Sequence, residues 1–527
     1  MKRIYIILCL CFFILSGQSQ SLETLAFKDE CTTITMGKKA TDDGSVRTSH
    51  TDDSHRSRTN VTIVPAQNHK AGEMVTMYVR KWDNTTKMQS YRNDSIGQIP
   101  QVPHTYAYVN TAYPCMNEKQ VGIGESTIGG RSELKSDVGL IDCQRLCGLI
   151  LQRSATAREG IQVAGALLKE YGWIDAGECL TICDKQEVWH MEIYGPGKGN
   201  KGAVWVAQRV PDDHIAVNAN ASTIKQIDIK DTANFLCSDN IYSLALDSGW
   251  WKEGEPFVFC YVYAPQSRTM LACRRREWRV FDLLAPSLNL DPNAENYPFS
   301  VKPDKPVSME TMMNVFRDYY EGTEYDMRKN ITVTNDSGKT VISPLANPFM
   351  SVDEMRLHKV NGGWNALGER AIAVRFTVYG TIIQSRDWLP DAVGGLLWFA
   401  LDNVASSVYV PIYCSVTDLP QTYKTCGRVS GFSRDAAWWA FNRVGTLAAQ
   451  RWGTFRYEVE KTWQPFQKEL LKNQAQIEQQ ALSVYNEKNP TKTINMLTKY
   501  TMEQANKAVN MAWDLGDAIW TKYDEWW

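Results

Sequence analysis

Two runs of β-branched and small residues, TTITMG at 32–37 and SVRTSHT at 45–51, flank the stretch KKATDDG. That arrangement leaves a chain few options other than an antiparallel hairpin, because the Asp-Gly pair supplies a turn and the flanking Thr, Ile and Val favour extended backbone. A hairpin centred near Thr41 puts Cys31 opposite roughly residue 52 of the returning strand. Asp52, Asp53 and His50 then come back beside the cysteine. A slip of one residue would turn each of them to the other face, so the register decides which of them meets the thiol.

The rest of the chain alternates between helix and strand in blocks. DCQRLCGLILQRSA and AREGIQVAGALLKEYG carry apolar residues three and four apart, as amphipathic helices do. EVWHMEIYG, AVWVAQR and HIAVNAN then read as successive antiparallel strands. The loop PGKGNKG between the first two lacks the order of a phosphate-binding loop and joins strand to strand, so a plain hairpin loop is expected. Residues about 274–365, including the Pro-rich APSLNLDPNAENYPFSVKPDKPVS, look like an insertion of helix and loop that covers something. RAIAVRFTVYGTIIQSR, GGLLWFALD and SSVYVPIYC return to strand character, and from Ser433 the chain turns helical to its end. That final helical extension, 433–527, carries Trp513, Trp520, Trp526 and Trp527 and is expected as a cap on the domain. Strands, helices, more strands and terminal helices define an α+β class, with sheet layers sandwiched by helices.

The N-terminus, MKRIYIILCLCFFILSGQSQ, has two early basic residues, an apolar run and a small polar end. This is the layout of a secretory signal peptide, too short for a stable membrane span, so the chain is expected to be exported to a periplasmic or extracellular space. A formal net charge of −2 gives no electrostatic footprint for nucleic acid or an anionic membrane. The 18 Trp and 23 Tyr are read as large packed cores. Some of the 13 cysteines could pair in an oxidising compartment. Cys143/Cys147 and Cys179/Cys183 repeat a C-x3-C spacing that could suggest zinc, but buried thiols on one helix face explain it more simply. No metal or other cofactor is expected.

Cys31 could be half of a disulfide, a buried core residue or the first residue of a processed enzyme. A free N-terminal cysteine carries its own base. Its α-amino group has an unperturbed pKa of about 7.7–8.0, close to working pH, and can take the thiol proton and later return it to a leaving amine. A carboxylate such as Asp53 would orient that amine, and Asn side chains at strand ends suit a developing oxyanion.

CTTITMGKKATDDGSVRTSHTDDS resembles the mature start of the PepD-type dipeptidases, in the N-terminal nucleophile hydrolase superfamily with penicillin V acylase and bile salt hydrolase. The resemblance continues, in order, through MNEKQVGIGEST, WHMEIYG, VPDDHIAVNAN, RVFDLLAPSL, YPFSVKPDKPVS and QSRDWLPDAVGGLLWFALD. It implies a four-layer αββα sandwich, a signal peptide over 1–20, a propeptide over 21–30 and a catalytic domain over 31–432. It also implies Cys31 as nucleophile, Asp53 beside its amine and Asn220 at the oxyanion, with Asn218 two residues away as the other choice. Many relatives have an arginine three residues before the aspartate. Here that position is His50, with Arg47 earlier in sequence; His50 could polarise the thiol, and as a bare sequence feature it reads as a solvated strand histidine. Glu125, in GIGEST, could accept a substrate ammonium group or be a solvated loop residue. Arg386, in QSRDW, could meet a substrate carboxylate or form a structural ion pair.

The leading expectation is therefore a secreted cysteine dipeptidase acting through a thioester. Its enzymatic rival is an amidase on N-acyl amino acids or bile salt conjugates, and its non-enzymatic rival an exported binding protein that keeps the fold. The partners expected are dipeptide substrates, with no nucleic acid and no membrane span; homo-oligomerisation is left open.

Overall fold

The computed structural model describes residues 30–358 and 370–525. The expected signal peptide, the propeptide up to residue 29, and Trp526 and Trp527 lie outside the described residues.

The hairpin forms as its sequence requires. Strand β1 (Glu30–Met36) pairs antiparallel with β2 (Val46–Asp53), Cys31 opposite Asp52 and Met36 opposite Arg47. Its turn is clamped from beneath by the buried Arg47, whose guanidinium meets Asp42 at 3.0 Å and Asp43 at 2.7 Å. These two strands lie near the centre of a seven-stranded sheet. Its order is Ser300–Val301, Ile215–Asn218, β1, β2, Thr377–Ser385, Leu396–Leu401 and Val410–Tyr413. An eight-stranded antiparallel sheet faces it, running from Phe235–Cys237 through Val204–Arg209, Val188–Tyr194, Gly177–Cys183 and Gly122–Ile128 to Met116–Asn117, Tyr108–Asn110 and Thr62–Val64.

The sheets touch through short polar side chains. Thr48 and Thr181 hydroxyls bond at 2.6 Å, and the Thr35 hydroxyl meets His190 Nε2 at 2.8 Å. At Gly124 a Cβ would run into the Ser49 carbonyl oxygen, so only glycine lets the sheets approach this closely there. Burial of His190 between them pushes its pKa down to about 3, which keeps it neutral.

Helices cover the outer faces. Cys143–Arg153 and Ala157–Tyr171 pack on the eight-stranded sheet; each starts at a side-chain cap, Asp142 accepting from Arg145 N and Thr156 from Glu159 N. The second stops at Gly172, whose φ of +79° ends helical geometry. Over the seven-stranded sheet lie Ala437–Ala449, Trp452–Ser483 and Thr491–Asp524. Trp463 Nε1 donates to the Ser406 carbonyl at 2.9 Å, and the Gln467 side chain bonds both backbone polar groups of Tyr409 at 2.9 and 3.1 Å. The described chain is thus an α+β fold of antiparallel sheets with helices packed on them.

Three expectations change. The strands at 188–194 and 204–209 are neighbours, but Ile215–Asn218 crosses to the other sheet and pairs with β1, Thr33 opposite Asn218. Local patterning cannot tell a hairpin from such a crossover. The segment expected as a covering insertion contributes an edge strand, Ser300–Val301, to the seven-stranded sheet, and the helix Leu271–Leu284 at its start is buried along most of its length. Every described cysteine is a free thiol, and Cys179 and Cys183 share a strand face instead of a helix face. Met74–Asp83 and Ser90–Pro100, a long paired ribbon, had no counterpart in the sequence reading.

Candidate active site

The pleat of the β1–β2 hairpin sorts its polar residues into two groups, because residues paired across a ladder share a face and their neighbours take the other. Cys31, His50 and Asp52 face the second sheet. Glu30, Thr32, Thr51 and Asp53 face the opposite way. All but Glu30 are buried.

On the thiol side, Cys31 Sγ donates to Glu125 Oε1 at 3.1 Å, and His50 Nε2 stands 3.2 Å from the same oxygen. Glu125 belongs to the Gly122–Ile128 strand and is 1% exposed, so it is neither a solvated loop residue nor open to a substrate ammonium. His50 is likewise 1% exposed and held edge-on by the rings of Tyr113 and Tyr379, contrary to the solvated histidine that its bare sequence suggests. Burial, followed by the carboxylates of Glu125, Asp52 and Asp53, pushes the Cys31 thiol well above its ordinary pKa, so it is neutral in this form. Behind Glu125 lies Glu178, whose carboxyl is raised by burial and then by the charge of Glu125. Ligand atoms of Cys31, His50 and Glu125 lie within 4.8 Å of one another, as do those of Glu125, Cys143 and Glu178. A soft cation could fit such spacing, but thiol–carboxyl and carboxyl–carboxyl hydrogen bonding explains the same contacts.

On the other face, Asp53 accepts from Thr377 Oγ1 at 2.6 Å and Thr51 Oγ1 at 3.1 Å, and pairs with Arg370 at 2.8 Å. Between the two faces stands Asn220. Its backbone sits just past the Ile215–Asn218 strand at a φ of +65°, a left-handed conformation that asparagine tolerates better than most residues. The Cys31 backbone N–H donates to Asn220 Oδ1 at 3.2 Å, while Asn220 Nδ2 donates to the Thr127 carbonyl at 2.7 Å. Asn218 does not share this position; its amide turns to the Ala221 carbonyl at 2.9 Å. The loop after Asn220 is tied down by Glu192, which accepts from the Ser222 hydroxyl, Thr223 N and Ile224 N. Burial raises the Glu192 carboxyl to about 7 against these donors.

Two arginines complete the cluster, and sequence reading missed both. Arg276, fully buried, donates to the Cys31 carbonyl at 2.8 Å, Thr32 Oγ1 at 2.9 Å and Asn220 Oδ1 at 2.8 Å. Arg370 bridges Asp53 and Glu30. The run RRREWR inside an otherwise apolar helix was a signal for the first; nothing in the local sequence marks the second. A cleft of about 360 Å³ opens beside this group, lined by Glu30, Thr127, Arg131, Lys135, Asp175 and Asn220 among others.

Arg386 is elsewhere. It follows the end of the Thr377–Ser385 strand where Ser385 pairs with Val46, the end of β2 away from Asp53. It is 2% exposed, with its donors committed to the Val393 and Gly394 carbonyls and to Glu478 at 2.6 Å. Its guanidinium forms a structural ion pair, at the end of the strand away from Asp53.

At this strand start a buried thiol thus lies among carboxylates, an amide and guanidinium groups, next to a cleft. Residues 30–465 match peptidase family C69, so the chain belongs to that family and is an enzyme acting on peptide bonds. It is 25% identical over 447 residues to a probable dipeptidase of Latilactobacillus sakei, covering 81% of this chain and 82% of that one. A probable dipeptidase of Salmonella dublin is 25% identical over 406 residues, 73% and 80% of the two chains. A probable dipeptidase B of Streptococcus pyogenes serotype M1 is 23% identical over 463 residues, 84% of each.

Proposed function

We propose that the chain is an exported cysteine dipeptidase of the N-terminal nucleophile type. In this reading the signal peptide (1–20) and then the propeptide (21–30) are removed, leaving Cys31 first in a catalytic domain (31–432) followed by a helical extension (433–527). The two facing sheets with helices outside are then the αββα sandwich of that superfamily. The observation that carries the reading is the backbone nitrogen of Cys31, 3.2 Å from Asn220 Oδ1 and on a residue whose thiol is already held in a polar pocket. Cleavage before Cys31 would convert that nitrogen into an amine with a polar acceptor in range.

The chemistry follows from that amine. It takes the thiol proton as Sγ attacks the scissile carbonyl, and the departing amine of the second residue then receives the proton. Water hydrolyses the thioester by the same proton path in reverse. Asn220 has a second amide N–H beyond the one given to Thr127, and this can stabilise the tetrahedral oxyanion. Asp53, fixed by Thr377 and Arg370, lies beside the β1 start, where the amine forms.

The test compares kcat/KM on Ala-Ala, N-acetyl-Ala-Ala and penicillin V, with Cys31→Ala as the blank. A dipeptidase pocket must pair the free amine of its substrate, so N-acetylation is expected to slow turnover at least ~10²-fold. Faster turnover of the acylated compounds would make the enzyme an amidase, and no turnover of any would overturn the dipeptide substrate class. Intact mass of active protein with Glu30 still attached would overturn the processing step.

A further inference from the structure

We propose that Arg370 and Arg276 form an anion subsite that Glu30 fills in the precursor and that binds the free carboxylate of the peptide substrate in the mature enzyme. The inference rests on the reading that Cys31 becomes the first residue. Glu30 Oε2 lies 2.8 Å from Arg370 Nε and 3.7 Å from Arg276 Nη2. Both guanidiniums are buried, Arg276 at 0% exposure and Arg370 at 8%. Among the described residues the remaining partners of Arg276 are neutral oxygens, those of Ala272, Cys31, Thr32, Ala219 and Asn220. Arg370 keeps Asp53.

Removing Glu30 therefore leaves two neighbouring buried cations with one carboxylate between them. Like charges in a poorly solvated site repel, and a buried charge without a partner is costly, so the vacated position favours an anion. The new α-amine cannot serve, being neutral or positive. Glu30 is also a wall of the 360 Å³ cleft, so its departure opens that cleft onto the guanidiniums. The opening adjoins the nucleophile, since Arg276 Nη1 bonds the Cys31 carbonyl at 2.8 Å. In a dipeptide the carboxylate lies one residue past the scissile bond, and a guanidinium fork matches it geometrically. The ligand class is thus a short peptide with an unblocked C-terminus, and Arg370 takes the role that the sequence had suggested for Arg386.

The experiment uses enzyme whose N-terminus is Cys31 by mass and measures kcat/KM on Ala-Ala and on Ala-Ala-NH2. Wild type is expected to prefer the free acid at least ~10²-fold, with the ratio falling to within about threefold of unity in Arg370→Met and to an intermediate value in Arg370→Lys. Arg370→Met should also lower both rates through Asp53; the ratio isolates the carboxylate contact. An unchanged ratio in Arg370→Met, or a wild type that cleaves the amide equally well, would overturn the subsite. Calorimetric titration of wild type with alanine and alaninamide covers variants that do not fold and a wild type that cleaves neither compound. The second case would fail the dipeptidase reading alone. Binding of alanine but not alaninamide supports the subsite in either case, and equal behaviour of the two overturns it.

Discussion

Cys31 shows how little a residue's type says before its neighbours are known. As a buried thiol near the charges of Glu125, Asp52 and Asp53 it is held neutral. The sign of the Glu125 effect can be tested. A carboxylate beside a thiolate is a like charge and raises the thiol pKa, so Glu125→Gln should lower it. We expect the pH at which iodoacetamide reacts half-maximally with Cys31 to fall in that variant. A midpoint that stays or rises would show that Glu125 does not sense the thiol. His50 was legible as a residue near the cysteine, because period-two alternation puts residues 50 and 52 on one face. Its contact with Glu125 was not legible, since Glu125 comes from the other sheet.

At the scale of elements, the hairpin carries the site and its turn fixes the register. Burial alone would raise the Asp43 carboxyl, but the Arg47 guanidinium and the Ser45 donors hold it at about 2. A carboxyl whose folded pKa lies below its unfolded value of about 3.9 stabilises the fold above that value. The contribution is lost as pH falls from about 4 to about 2. Asp43→Asn should therefore cost about 1 kcal/mol at pH 7, because solvent screens the partly exposed carboxylate, and show a flatter loss of stability between pH 4 and 2. Urea unfolding at several pH values measures both. An equal acid limb in the two proteins would assign the acid sensitivity to other carboxylates. Turn chemistry and strand alternation made this element readable from sequence. The crossover of Ile215–Asn218 was not readable, because an isolated apolar run pairs as well with one sheet as with the other.

Across the whole molecule, the terminal helices are joined to the seven-stranded sheet by polar contacts as well as by apolar packing. Arg386 and Glu478 form the most buried of these ion pairs, with Tyr413 adding a hydroxyl to Glu478 at 3.2 Å. Deleting one partner leaves a buried charge, so Arg386→Ala should lose ~3–5 kcal/mol and melt well below wild type. Its kcat/KM on Ala-Ala, measured where the variant is folded, should stay within about threefold of wild type, since a residue remote from the cleft contributes little transition-state binding. A large loss of kcat/KM with an unchanged Tm would return Arg386 to the substrate.

The amino-acid sequence by itself determined the local elements of this protein and the ordered series of motifs that resemble one peptidase family. Strand alternation, an Asp-Gly turn and helix caps act over a few residues, so the Cys31 hairpin, the capped helix pair and the helical end are written in neighbouring positions. It also drew attention to Cys31, Asp53 and Asn220, which the fold brings to one corner. Only the tertiary structure decided what surrounds them. Glu125, Arg276 and Arg370 lie 94, 245 and 339 positions from Cys31 in the chain. Burial of a carboxylate or a guanidinium is favourable only when an opposite charge or a hydrogen-bonding partner arrives with it. Such partners come from strands and helices distant in sequence, and sheet packing, not local pattern, selects them.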